Sequence, residues 1–513
     1  MRRISHWLLA AAALTLTACG GDDKEEPADP TPSAPTAITL TPDSISDPVA
    51  GGSHSVAISA PARPTVEVPT AAKSWITVKD GTWNKDKYSM TITVTIAANE
   101  GYDVREADLT VKAGSAAAVT LKVSQAANEK PVDPGTGEEN DATARTAELG
   151  LGWNMGNHFD AYSNGVASET AWGGTPATQA TFNGVKAAGF TTVRIPVTWL
   201  GHIGEAPEYT LDQAWLDRVY EVVGFAENAG LNVILNTHHD EDHGDGHWLN
   251  LAGAVNSEDT NTQIKEEIAA VWTQIADKFK EKGDFLMLES FNELIYGNEW
   301  TSSSNTERRC AVINEWNQVF VDAVRATGGN NATRWLGVPG YAASPTYLKY
   351  LAVPEDQAGK TMLAFHCYDP YDYTIGEKQS PDWGHTGTSF PKGEEQIRTL
   401  FAGIYSDFIA KNIPVYMGEF GCSMRDKNNA QAWAYYLYYL EYVVKAAKTY
   451  HISAFLWDNG AKGVGKECHA YIDHGTGNYI GNSQLPVKAM VKAWSTNSPS
   501  YTLDSVYDSA PKF

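Results

Sequence analysis

From Leu149 onward the chain alternates short apolar runs of strand length with longer amphipathic stretches. The apolar runs are Leu149 to Met155, Thr192 to Val197, Asn232 to Thr237, Phe285 to Phe291, Arg334 to Val338, Met362 to Cys367, Val415 to Phe420 and Ser453 to Trp457. Helical patterns such as Gln213 to Asn228, Thr262 to Lys280 and Ala430 to Lys448 lie between them. Near-continuous apolar runs suit parallel strands covered on both faces. Eight such runs joined by helices predict an α/β fold, a (β/α)8 TIM barrel over residues 144–513.

In such a barrel the carboxyl ends of the strands surround the active-site mouth. The fourth run reads FLMLESFNE and ends in Asn292-Glu293, and the seventh, within IPVYMGEFG, sets Glu419 between Gly418 and Phe420. Two carboxylates delivered by separate strands are what cleavage of a glycosidic bond needs, one as proton donor and the other as nucleophile or base. Other strand ends supply Arg194, the pair His238-His239, His366 with Tyr368, and Trp457. Three of these have a packing alternative: Arg194 in a structural ion pair, His366 as a satisfied core histidine, Trp457 as a rim residue. Glu289 is a rival carboxylate. Alternation along its strand gives it the same facing as Glu293, so it is expected one layer deeper, paired with a cation.

Taken in chain order, this set resembles the site of glycoside hydrolase family 5: an Arg, a His, Asn-Glu, a His and Tyr two apart, a second Glu and a Trp. The resemblance covers nearly all of the chain after residue 143. The stretches GWNMGNHFDA, which contains Asn157, GVKAAGFTTVRIPVTW and NTHHDE are similar to the endoglucanase and xyloglucanase branch, subfamily 4. One departure is Leu294 after Glu293, where most relatives have proline, a change that bears on loop stiffness and specificity. The resemblance implies a retaining mechanism with Glu293 as acid/base, Glu419 as nucleophile, Asn292 on the sugar 2-hydroxyl and Trp457 as the floor of the reacting sugar's subsite. It follows that the Glu293 pKa should be raised by burial and by Glu419, that Arg194 should keep Glu419 ionised, and that Tyr368 should donate a hydrogen bond to it.

The most polar stretch is HHDEDHGDGHW, residues 238–248. Its histidines and acids invite a metal reading, but their spacing lacks the helical His-Glu-x-x-His form, and sugar-lining loops have the same composition. No cofactor or metal is expected. Trp172, Trp199, Trp248 and Trp300 fall in loops near the mouth, where flat rings can stack on sugars.

The amino terminus is read separately. Residues 1–18 have a basic start and an apolar stretch, the pattern of a secretory signal, and Leu16-Thr17-Ala18-Cys19 resembles a lipobox, which implies lipidation at Cys19. The following GGDDKEE resembles the export tag of Bacteroidetes surface lipoproteins, implying an outer-membrane, cell-surface location. Residues 19–36 are a polar tether and 128–143 an acidic, Pro/Gly-containing linker. Between them, residues 37–127 show alternating short runs such as TITVTIA and VTLKVSQ, which predict a small all-β sandwich. It resembles the BACON domain through Ser74-Trp75-Ile76, Arg105-Glu106-Ala107 and Val123-Ser124-Gln125-Ala126, and either glycan binding or a spacer role fits it. The remaining cysteines, Cys310, Cys367, Cys422 and Cys468, allow at most one expected bridge.

A formal net charge of −23 disfavours nucleic acid, whose phosphates need a basic surface. The expected protein is a monomeric, lipid-anchored endo-β-1,4-glucanase acting on a β-glucan polysaccharide, xyloglucan being favoured. The alternatives are a non-catalytic glycan-binding surface protein and a metal-dependent hydrolase.

Overall fold

The computed structural model describes residues 33–513 except 100, 130, 132 and 135–139. The expected signal segment and Cys19 lie outside the described residues. The chain divides into two compact units at Glu129 and Lys130. No helix among the described residues is long and apolar enough to cross a membrane.

The first unit has the strands β1 (Thr39–Thr41), β2 (Ser44–Asp47), β3 (Gly52–Ser59), β4 (Thr65–Glu67), β5 (Ile76–Lys79), β6 (Ser89–Ile96), β7 (Arg105–Lys112) and β8 (Val119–Gln125). They form two four-stranded sheets, ordered β1-β3-β6-β5 and β2-β8-β7-β4. Period-two alternation turns Met90, Ile92, Val94 and Ile96 of β6 inward, with Leu109 and Val111 of β7 and Leu121 and Val123 of β8. The strands β2 and β4 are additions to the expected set. With one apolar residue each they carry no alternation of their own, and they hold by pairing with β8 and β7. The three BACON-like motifs meet in one contact. Arg105 lies over the Trp75 ring at 4.7 Å and donates to Gln125 at 2.6 Å, while the Gln125 amide donates to the carbonyls of Pro48, Val49 and Ala97.

In the second unit, β9 (Leu151–Met155) is followed by a small hairpin, β10 (Tyr162–Ser163) with β11 (Val166–Ala167). Then come β12 (Thr192–Ile195), β13 (Asn232–Asn236), β14 (Leu286–Glu289), β15 (Leu336–Pro339), β16 (Thr361–Cys367), β17 (Val415–Phe420) and β18 (Ser453–Asp458). Strands β9 and β12 to β18 close into a parallel barrel, as the alternation of runs and helices predicts. Helices such as Gln213–Asn228, Glu258–Phe279, Thr306–Ala326 and Ala430–Thr449 bury their apolar faces in the surrounding core. Inside the barrel, Leu149, Ile234, Met287, Met362, Ala364, Tyr416 and Phe455 fill the lower layers. Large rings fit there because glycines face them: a Cβ on Gly152 would lie 2.1 Å from the Phe455 ring, and one on Gly337 would lie 2.2 Å from the Tyr416 hydroxyl.

Three boundaries differ from expectation. Residues Asp141–Leu149 form a helix whose first turn is satisfied by Asn140, which accepts from the Thr143 amide at 2.9 Å; the first strand therefore begins at Leu151 and Leu149 plugs the barrel floor. Asp133, in the expected linker, is fastened by Arg398 at 2.7 Å and by the Tyr450 hydroxyl at 2.8 Å. The fifth strand begins at Leu336, where pairing with Thr361 starts, and the Arg334 side chain before it is spent on the carbonyls of Phe279, Lys282, Gly283 and Leu286. Cys310, Cys367, Cys422 and Cys468 are free thiols, so none of the allowed bridges forms.

These contacts predict opposite outcomes for two glycine substitutions. Gly337→Ala should cost about 1–3 kcal/mol by overpacking against Tyr416. Gly403→Ala, in the helix Gly393–Asp407 with nothing within 4 Å of its would-be Cβ, should stabilise by about 0.5–1 kcal/mol. Urea-unfolding midpoints of the two variants check this.

Candidate active site

Arg194, on β12, is fully buried and uses every N–H it has. Its Nε and Nη2 donate to Glu289 Oε1 at 3.0 and 2.7 Å, its Nη1 to Glu419 Oε1 at 2.8 Å and Asn154 Oδ1 at 2.9 Å, and its Nη2 also to Asn292 Oδ1 at 3.0 Å. Burial works against its charge, yet Glu289 and Glu419 reverse this and hold the proton more tightly than in an ordinary arginine. Glu289, the last residue of β14, is buried and paired with a cation as expected, and also accepts from Asn236 at 2.8 Å and from the Tyr416 hydroxyl; alternation ends there, since Phe291 turns to the outer core.

Glu419 sits where the barrel ladder is irregular. The register of β17 shifts against both neighbours near this residue, and such irregularities re-aim side chains. Besides Arg194, Glu419 accepts from the Tyr368 hydroxyl at 2.9 Å. Burial raises the Glu419 pKa, while His366 and Arg194 oppose the rise and Glu293 adds to it. The expectation that Arg194 keeps this carboxyl low is thus met only in part, because burial outweighs the pairing.

Glu293 stands four residues past the end of β14 (286–289) and is held by His366, whose Nδ1 lies 2.6 Å from its Oε1 and 3.7 Å from Glu419 Oε2. One ligand-type atom from each of Glu293, His366 and Glu419 falls within 4.8 Å of the others. Burial, and then the charge of Glu241, push the Glu293 pKa up to about 7, against the pull of Arg194, His239 and His243. The second cause is therefore Glu241, a loop residue, where the sequence pointed to Glu419. Burial also pushes His366 down to about 4, so this histidine is neutral near pH 7. Tyr368, raised well above its ordinary value by burial and by Glu419, stays a donor.

These groups open into one cavity of about 860 Å³, lined by Asn157, His238, His239, Asn292, Glu293, Trp300, His366, Tyr368, Glu419 and Trp457 among others. With its Oδ1 engaged by Arg194, Asn292 has its amide N–H groups left to donate. Trp457 stacks parallel to His238, with ring centres 5.8 Å apart. His239 lies near Glu241 at 3.5 Å and Asp160 at 3.7 Å. Burial opposes its charge, but Glu241 and Asp160 outweigh that and push its pKa up to about 9.

The four loop tryptophans separate. Trp300 is 54 % exposed and lines the cavity, and Trp172 is 45 % exposed with its ring 5.7 Å from His239. Trp199 is wholly buried in the core, and Trp248 is half-buried against that core and outside the cavity lining, so these two are packing residues. Sequence reasoning passed over Tyr371, Asn459 and Glu467, which line the cavity from loops after the sixth and eighth strands. The aromatic cluster YDPYDY was a usable signal for Tyr371.

Among the described residues two groups have metal-like spacing: Asp160 with His238 and His239, and Glu293 with His366 and Glu419. In the second, the Arg194 guanidinium already neutralises Glu419, and a cation there would face that charge at close range. In the first, Asp160 accepts from the amides of Asn157 and His158.

A closed parallel barrel whose mouth brings together one carboxyl of raised pKa and one paired with an arginine is built as a glycoside hydrolase. Comparison with known proteins agrees. The pattern of the cellulase family, described as cellulase (glycosyl hydrolase family 5), matches residues 156–463, and the chain belongs to that family. The BACON pattern, described as a putative N-terminal binding domain, matches residues 65–126 of the first unit. A solved Bacteroidetes-affiliated GH5 cellulase linked with a polysaccharide utilization locus is 44% identical, with a TM-score of 0.70 over 73% of this chain and 98% of that one. The GH5-4 broad specificity endoglucanase of Bacteroides salanitronis is 45% identical, with a TM-score of 0.66 over 72% of this chain and 98% of that one. A xyloglucan-specific endo-β-1,4-glucanase of Bacteroides ovatus is 32% identical over 427 residues, which are 78% of this chain and 83% of that protein.

Replacing the buried guanidinium leaves two carboxylates uncompensated. Arg194→Met should destabilise the barrel by about 3–5 kcal/mol, read as a lowered urea midpoint. Infrared difference spectra against Glu293→Gln should show the Glu293 carboxyl protonated at acid pH and ionising near pH 7.

Proposed function

We propose that the chain is a retaining endo-β-1,4-glucanase of plant cell-wall β-glucan, with xyloglucan as the preferred polymer. The observation that carries this is the approach of Glu293 and Glu419, whose oxygens meet about one His366 nitrogen within 4.8 Å. Carboxyls about 5–5.5 Å apart leave no room for an interposed water and favour direct attack on the sugar.

In this reading Glu293 protonates the glycosidic oxygen while Glu419 attacks the anomeric carbon, so the leaving chain departs as an alcohol and a glycosyl ester forms on Glu419. Glu293, now ionised, takes a proton from water, whose oxygen then attacks the same carbon and releases Glu419. Tyr368 and Arg194 orient the nucleophile, and Asn292 donates to the sugar 2-hydroxyl. Trp457 floors the reacting sugar's subsite, and the exposed rings of Trp172 and Trp300 stack neighbouring sugars of a long chain. Xyloglucan preference is supported by the likeness to the Bacteroides ovatus enzyme, which extends over 78% of this chain. Acylation at Cys19 would tether the enzyme to the outer membrane. Cys19→Ala should then move it from the membrane to the soluble fraction.

Glu293→Gln and Glu419→Gln should each lower kcat on xyloglucan by at least about 10²–10⁴-fold while oligosaccharide binding persists; normal turnover in either variant rejects the assignment. Proton NMR of the first product should show retained β configuration, and inversion would reject the double displacement. Because Glu293 must start protonated, activity should fall as pH rises through about 7.

A further inference from the structure

The loop that follows β18 carries a further carboxylate into the cavity, besides Glu293, Asp369 and Glu419. Glu467 lines it together with Glu293, Tyr368, Trp457 and Asn459. The side chain is exposed, and among the described residues no hydrogen bond or ion pair engages its carboxylate. Its backbone is costly: φ is +58°, a left-handed conformation that a residue with a Cβ seldom adopts. The same loop uses glycine at three other positive-φ positions, Gly460 at 65°, Gly463 at 121° and Gly465 at 104°, yet keeps a glutamate at 467. Strain retained beside a reaction centre, where glycine would relieve it, points to a use for the side chain.

The loop is also held still. Asn459, two residues past Trp457, donates to the Glu467 carbonyl at 2.9 Å and accepts from the amides of Ala461 and His469 at 3.0 and 3.2 Å. On its other side the Met424 amide donates to the Cys468 carbonyl at 2.8 Å and the Gly465 amide to the Met424 carbonyl at 3.1 Å, which ties the loop to the segment after β17. Partial desolvation by the surrounding loop raises the Glu467 pKa although its tip stays open to solvent; Lys466 opposes this, and the Glu293 charge adds to it.

We propose that Glu467 is a specificity-determining residue that accepts hydrogen bonds from free hydroxyls of the glucan backbone beside Trp457. A carboxylate offers two oxygens and no donor when ionised, so it suits adjacent unsubstituted hydroxyls and discriminates against a backbone sugar whose contacted hydroxyl carries a branch. The inference rests on the proposed glucanase reading and adds a contact that the reading itself does not need.

The test uses the full chain and its Glu467→Ala, Glu467→Gln and Glu467→Gly variants on unbranched mixed-linkage glucan and on xyloglucan. Loss of a charged hydrogen bond should raise KM on the unbranched polymer about tenfold in the Ala and Gly variants, with kcat little changed and a smaller rise for Gln. On xyloglucan the rise should be smaller wherever the contacted hydroxyl is branched. Glu467→Gly also relieves the backbone, so its Tm should equal or exceed that of the parent while its KM still rises, a combination that a purely structural role does not produce. If the parent enzyme cleaves β-glucan and the Ala and Gly variants keep its KM, or if KM rises only together with a fall in Tm, the inference is overturned and the glucanase reading stands. A parent that cleaves no β-glucan overturns both.

Discussion

One buried guanidinium organises the barrel mouth. Arg194 presents five N–H groups, and Glu289, Glu419, Asn154 and Asn292 take all of them. A lysine, with three donors and no planar fork, could not hold four partners drawn from three strands and a strand end in one plane. The charge balance is as important as the geometry. One positive charge faces two carboxylates here, while the Glu293 pKa is pushed up to about 7 by burial and then by the charge of Glu241, against the pull of Arg194.

The depth of each carboxyl along the barrel sets its part. Glu289 lies deepest, tied to Arg194, Asn236 and Tyr416, and serves as a fixed counter-charge. Glu419 comes next, paired and hydrogen-bonded but open to the cavity. Glu293 is outermost, touched by a neutral histidine instead of a cation. Chemically identical groups are thereby given different partners by position: Glu419 a guanidinium and a phenol, Glu293 a histidine, which suits separate nucleophile and acid roles in the proposed mechanism.

The parts of this arrangement that were legible in the sequence are those governed by strand periodicity. Apolar runs ending in polar residues located Arg194, Glu293, His366, Glu419 and Trp457, and alternation turned Glu289 into the barrel, paired with a cation, though it did not carry on to Glu293. The loops obey no such period. Trp199 and Trp248 read like cleft tryptophans because they flank the mouth in sequence, but an aromatic ring gains as much from a core as from a sugar, and here the core took both. Glu241 could not be connected with the Glu293 pKa, since that depends on a loop folding back between His239 and His243. The helix 141–149 was hidden for a related reason: a polar, threonine-containing segment has weak helical signal until Asn140 caps it and Leu149 finds the barrel floor.

Much of the site's precision resides in positions without side chains. A Cβ on Gly156 would lie 2.6 Å from the Trp457 ring, so this ring lines the cavity where it does because position 156 is bare. Gly418, next to Glu419, would bring a Cβ to 3.1 Å from His366 Nε2, and its carbonyl accepts from Asn154 at 2.9 Å, the same asparagine whose oxygen accepts from Arg194. The bare backbone at 418 thus admits the histidine that touches both carboxylates and, through Asn154, is tied to the guanidinium that charges them. Packing in the barrel and protonation at its mouth are therefore one constraint, because moving that strand by a few tenths of an ångström would alter the contacts that set the proton affinities of Glu293 and Glu419.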